Sequence, residues 1–351
     1  MAVVALLAVI LTTGLTVSLS AQKQAKTEPK VFIPKEVKAV MEAGLLTQQP
    51  RLDIPFAFSG HLYLPAAGSF QNIFCLEIAN RELGFVPLTP APPAKAEEKA
   101  AEDKPQAEPV IEMLANFELF IQFREISGGL PGQVYREIFV PCEEKLTAAE
   151  FNPDKVEKYY VAYPLPAGKY LAAFALTSID LKKIGTQYFE FSTPDPASFS
   201  SRLDTTPVFS AKAIDRMDAP DRRIILHKNY FTFATLKITP ILDNVIGFKE
   251  NFDIFYFNLG AQPNAEEKYS LETNFEVKKG EETVIRFAPV VFPFPIISQP
   301  LPLKRMVVTK TEAGETQEEK DLEPGSYILV IKIQDRNSGY STTKNVPFEV
   351  K

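Results

Sequence analysis

Two histidines and two cysteines are the side chains best suited to chemistry in this 351-residue chain. A zinc site would have to draw on His61, His227, Cys75 and Cys142. Such sites are usually anchored by a close ligand pair, CxxC or HxxxH, and neither spacing occurs. His61 and His227 each lie inside an alternating, strand-like segment, where a histidine is ordinarily structural. The nucleophile elbow GxSxG, the zinc helix HExxH, the phosphate loop GxxxxGK[ST] and the dinucleotide turn GxGxxG are also missing. Tyr340 and Lys344 spell YxxxK, but near the C-terminus and with no dinucleotide-binding unit before them. The reading is a non-enzymatic chain with no catalytic residue, no metal and no cofactor. One catalytic class stays open, because 44 Asp and Glu can form glycosidase-type pairs across space rather than along the sequence.

Cys75 and Cys142 both fall in the first half, so in an oxidising compartment they could close one disulfide. The alternative is two buried thiols, since Cys75 lies mid-strand in "NIFCLEI" like a core residue. Both readings stand at this point.

The elements that would position these residues are strands. Phe (27) and Pro (29) are abundant and Trp is absent, and Phe-rich alternating runs punctuated by proline suit sheets better than helix bundles. In "NFELFIQF", Phe117, Leu119, Ile121 and Phe123 share one face, as a half-buried strand requires. Before the first strand, "PKEVKAVMEAGLLTQ" sets Val37, Val40, Met41 and Leu45 on one helical stripe, with Pro34 suited to the first turn. The net charge of −6, without a basic block, speaks against a nucleic-acid partner.

Composition divides the chain. Residues 1–21 read as a secretory signal, with Ser18 and Ser20 placed for cleavage before Ala21. No Lys or Arg precedes the apolar run, which leaves retention as a membrane anchor as the alternative. Residues 22–50 form a linker with the short helix, and 51–193 a first β domain. Within it, 87–109 is a Pro/Ala/Lys/Glu loop that cannot build a core. A second linker spans 194–222, and a second β domain 223–351.

The two β domains look like copies. "NIFCLEI" (72–78) pairs with "DIFYFNL" (253–259), and "GQVYREIFVP" (132–141) with "GEETVIRFAP" (280–289). Gly168 and Tyr170 match Gly325 and Tyr327, and "YFEFS" (188–192) matches "VPFEV" (346–350). Four matches in the same order predict a repeated unit. Pro324-Gly325 fits the centre of a type II turn. A tyrosine just after such a turn is expected to bond back to upstream backbone as a tyrosine corner, so Tyr170 and Tyr327 are read as structural. The fold expected is all-β, with two tandem Ig-like (fibronectin III-like) antiparallel sandwiches and a short N-terminal helix.

Residues 287–305, "FAPVVFPFPIISQPLPLKR", carry five prolines, so they are expected at a sheet edge or as an extended connection. Their Phe292, Phe294 and Ile297 either pack on the sandwich or form a candidate interface with a partner.

The C-terminal "LEPGSYILVIKIQDRNSGYSTTKNVPFEV", with Gly-x-Tyr, an alternating strand, Asp-x-x-Ser-Gly and a closing Phe-x-Val, resembles the Ig-like tails of exported bacterial proteins of the GWxTD-domain and VWFA-related acidobacterial group. The stretch "PKEVKAVMEAGLLTQQPRLDIPFAF" is similar to segments that introduce Ig-like regions there. The resemblance implies an exported, non-enzymatic accessory protein. With no Trp the chain lacks the GWxTD motif itself, so nothing that domain does is carried over.

Together these features lead to an extracytoplasmic, periplasmic or secreted, interaction or scaffold module with a protein partner or cell-envelope component. The membrane would be met only through an uncleaved N-terminal segment. A carbohydrate-binding or carbohydrate-active sandwich, and a membrane-anchored subunit of a larger envelope complex, are the alternatives.

Overall fold

The computed structural model describes residues 32–88, 111–221, 223–250, 252–311 and 314–351. The signal or anchor reading of 1–21 and nearly all of the loop expected at 87–109 lie outside the described residues. What is described is all-β, built of antiparallel sheets around one short helix.

The first half runs β1 (Ala57–Ala66), β2 (Ser69–Ala79), β3 (Glu112–Ser127), β4 (Leu130–Thr147), β5 (Val156–Leu165), β6 (Gly168–Ser178) and β7 (Ile184–Thr193). The second runs β8 (Phe209–Arg216), β9 (Leu236–Ile241), β10 (Asp253–Leu259), β11 (Leu271–Lys279), β12 (Glu282–Arg286), β13 (Ile296–Pro300), β14 (Lys304–Thr311), β15 (Gly314–Asp321), β16 (Gly325–Asp335) and β17 (Ser341–Val350). Sheet I has the order β4-β3-β6-β7 and sheet II the order β1-β2-β5. The pairing recurs in the second half. Sheet III contains β8-β10-β13, with β9 added beyond β8, and sheet IV contains β12-β11-β16-β17. Strands β14 and β15 form a separate hairpin.

Each of the four sequence matches falls on strands that hold the same place in this pairing: β2 with β10, β4 with β12, β6 with β16, β7 with β17. The equivalence is one of strands, not of every side chain. Phe139 on β4 stacks on Phe120 at the outer face of sheet I, whereas Phe287, at the same spacing from its glycine, packs on the core of the second half.

The helix, α1 (Lys35–Gly44), starts after Pro34, which precedes its first turn rather than entering it; the Pro34 carbonyl accepts from Lys38 N at 2.9 Å. Val37, Met41 and Leu45 are buried against Phe120, Leu171, Ala173, Ala175 and Ile184 on the outer face of sheet I. The alanines let the helix lie close. A Cβ at Gly44 would overlap the Tyr188 phenol, whose hydroxyl donates to Met41 O at 2.9 Å. This cover explains the run "YLAAFAL" in β6. Tyr170, Ala172, Phe174 and Leu176 face the core between sheets I and II, and the alternate residues face the helix. Among the described residues no helix covers the corresponding outer face of β16, and Ile328 there is exposed.

The largest departure from the sequence reading concerns the junction. The segment expected as a linker, 194–222, contains β8, which pairs with β9 on one side and β10 on the other. "FSAKAIDR" is short, Ala-containing and charged at its end, so it carries little strand signal. The two sandwiches are also packed face to face. Leu62, Leu64, Ile73, Cys75 and Tyr160 of sheet II meet Phe209, Ala211, Phe255, Phe257, Ile238 and Ile296 of sheet III in a third buried cluster. Sheets I, II, III and IV thus stack as four layers with apolar packing at all three junctions. Strands buried on both faces lose their alternation, which is what "NIFCLEI", "DIFYFNL" and "KYYVAY" display. His227–Lys228, from the second half, adds a short strand to the free edge of β5 and ties the layers further.

Candidate functional site

The two tyrosine corners form as expected. Tyr170 Oη donates to Pro166 O at 3.1 Å and Tyr327 Oη to Glu323 O at 2.7 Å, each reaching back four residues. Burial raises the Tyr170 phenol to about 12. The turn chemistry differs from the expected type II geometry. Gly325 has φ +150°, well beyond the value near +80° that such a turn requires, and Gly168 is not in the positive-φ region at all. What Gly168 supplies is room: a Cβ there would sit 3.2 Å from the Tyr170 ring, which folds back over the glycine to reach the Pro166 carbonyl.

The cysteines are not joined. Cys75 is buried in the cluster between sheets II and III, where Ser59 Oγ donates to its Sγ at 3.1 Å. Cys142 lies on β4 of sheet I and packs on the other core, its thiol at 3.3 Å from Val140 O. The two sit on different sheets facing different layers, so the disulfide reading is corrected to two free thiols. Burial raises both, Cys142 to about 12.

The histidines are also kept apart. His61 on β1 and His227 at the edge beyond β5 lie three strand spacings apart in one sheet, about 14 Å. His61 stacks on Phe74, with centroids 5.2 Å apart, and its Nε2 lies 2.9 Å from Asn72 Oδ1, which also accepts from Thr193 Oγ1 at 3.1 Å. Asn72 Oδ1 is an acceptor, so Nε2 carries the proton. Burial lowers His61 to about 4. His227 Nε2 sits 3.1 Å from Asp221 Oδ2 in a recess of about 250 Å³; burial lowers this ring too, with Asp221 opposing. Among the described residues no group of three or more His, Cys, Asp or Glu side chains could hold a metal ion. Lys344 of the YxxxK spelling is ion-paired with Asp204.

Phe292, Phe294 and Ile297 do not form an exposed patch. Phe292 and Ile297 are buried in the core between sheets III and IV, and Phe294 packs against the cluster between the sandwiches. The interface reading for these three is therefore corrected to core packing. The edge position holds, since among the described residues β13 pairs with β10 only.

The feature that sequence reasoning missed is a cleft of about 630 Å³ where the sandwiches meet. One wall is the β1–β2 turn, Pro65 to Phe70, with Phe199 of the helical turn Pro196–Phe199 beside it. The other is the tip Phe233–Leu236 and the end of β10, Phe257 to Ala261, closed by Tyr269 and Pro295-Ile296. The tip reverses at Ala234, which takes φ +50°. Phe233 and Phe257 meet edge to face at 5.5 Å, as do Phe70 and Phe199 at 6.5 Å. None of the lining residues is Asp, Glu, Lys, Arg, His or Cys. The cleft therefore offers an apolar surface with few polar groups and no side chain that titrates near neutral pH. Its residues come from six separate stretches of chain, and no local pattern marks them.

No protein-family model matches the chain, and no curated protein matches it. Among the described residues no helix is long and apolar enough to cross a membrane.

Proposed function

We propose that this protein is an exported, non-enzymatic interaction or scaffold module of the cell envelope, made of two tandem fibronectin III-like sandwiches that arose by duplication. The observation that carries the reading is the apolar junction between sheets II and III. A chain whose two sandwiches share a buried face presents its edges and end loops as one rigid body, which suits binding more than flexible tethering. The repeated strand pairing and the paired tyrosine corners support the tandem Ig-like assignment. Export rests on the uncharged run at 1–22. The carbohydrate reading has less support, because the aromatic cleft lacks the carboxylates that sugar hydroxyls and glycosidic cleavage call for.

Crosslinking in the intact cell envelope followed by mass spectrometry tests the proposal. A discrete set of envelope proteins joined to the folded chain is expected. Recovery of the chain from the cytoplasm, or turnover of a glycan panel by the purified protein, would overturn it.

A further inference from the structure

Protein interiors are packed as densely as organic crystals, and voids large enough for more than a water or two are few. Against that background a cleft of about 630 Å³ between two rigid sandwiches is not a packing defect. It falls inside the range of small-molecule sites, roughly 300–1,000 Å³. At ~30 Å³ each it would hold on the order of twenty waters against apolar walls, where they find few partners.

We infer that this cleft is a binding site for an uncharged, hydrocarbon-rich small molecule. The inference stands apart from the scaffold reading and does not depend on it. Two observations fix the ligand class. First, no charged side chain lines the cleft, so a carboxylate, phosphate or ammonium group would find no counter-charge in its walls. Second, the walls carry Phe70, Phe199, Phe233 and Phe257, which give aromatic faces and edges to a hydrocarbon body. A peptide fits less well. An extended segment needs backbone partners, and Pro65, Pro196 and Pro295 on the rim have no N–H to give.

The probe is N-phenyl-1-naphthylamine, a neutral, largely apolar diarylamine, titrated into the full chain and followed by its fluorescence. Saturable binding at a single site is expected. Ala66→Trp, which fills the cleft, and Thr235→Asp, which places a charge in its wall, should each weaken binding by at least about tenfold, and Thr235→Val should not. Decanol should displace the probe at a concentration at least about tenfold below that needed with decanoate. The inference is overturned by non-saturable binding, or by unchanged affinity in a normally folded Thr235→Asp variant. Equal competition by decanoate would also overturn it. So would loss of probe binding as protein concentration rises, which would assign the cleft to a second copy of the chain. Should Ala66→Trp fail to fold, the two Thr235 variants and the competition pair decide the matter.

Discussion

Phe255 is the residue whose removal separates a fused pair of sandwiches from two beads on a string. It is fully buried and faces sheet II rather than its own core, 5.4 Å from the Phe209 ring and 5.9 Å from Phe257. Were the sandwiches independent, this side chain would lie on a surface, and Phe255→Ala would change stability by no more than about 0.5 kcal/mol. In a packed junction the same change removes a buried aromatic and leaves a cavity, at a cost of about 3–5 kcal/mol. The lower end of that range is already on the order of a hundredfold in the unfolding equilibrium. Phe275→Ala, in the core between sheets III and IV, supplies the comparison and should cost a similar amount. The assay is urea unfolding followed by near-ultraviolet circular dichroism of the 12 tyrosines. A second arm uses Tyr160 of sheet II and Phe231 beside sheet III, whose centroids lie 6.0 Å apart across the junction. A double-mutant cycle to alanine should return a coupling of about 0.5–1.5 kcal/mol. A Phe255→Ala cost below about 1 kcal/mol together with zero coupling would refute the reasoning.

The other expectations concern the corners, the thiols and acid. Tyr170→Phe and Tyr327→Phe each remove one hydroxyl and should each cost about 1 kcal/mol in urea unfolding, additively because the sites lie in different sandwiches. Cys75 should react with a thiol reagent only after denaturation and the half-buried Cys142 only slowly before it, and the chain should migrate identically with and without reductant. His61 favours its neutral form in the fold, so the unfolded chain takes up a proton first. Its contribution is fully present above about pH 6.5 and is lost as pH falls towards 4, up to about 3 kcal/mol. His61→Gln should flatten that part of the stability profile; an unchanged slope would contradict the assignment.

Much of the fold could be read from local pattern. The shared face of Phe117, Leu119, Ile121 and Phe123, the stripe of α1, the two corner tyrosines and the edge position of the proline-rich segment all follow from spacing, because one strand or one helix decides them. What escaped depends on partners distant in the chain. "NIFCLEI" and "DIFYFNL" announce burial on both faces, but only the assembled sheets show that each covers the other. The same blindness made β8 look like linker and left Phe292 and Ile297 open between core packing and a partner, when the core beneath them was out of view. The cleft was invisible for the same reason, being assembled from turns and strand ends with no common signature.

Hydrogen exchange under native conditions tests the fused four-layer stack most directly. Amides at the centres of β2 and β10 should exchange only through global unfolding, with one shared free energy for both halves. Two separate free energies, with one sandwich opening well before the other, would contradict it.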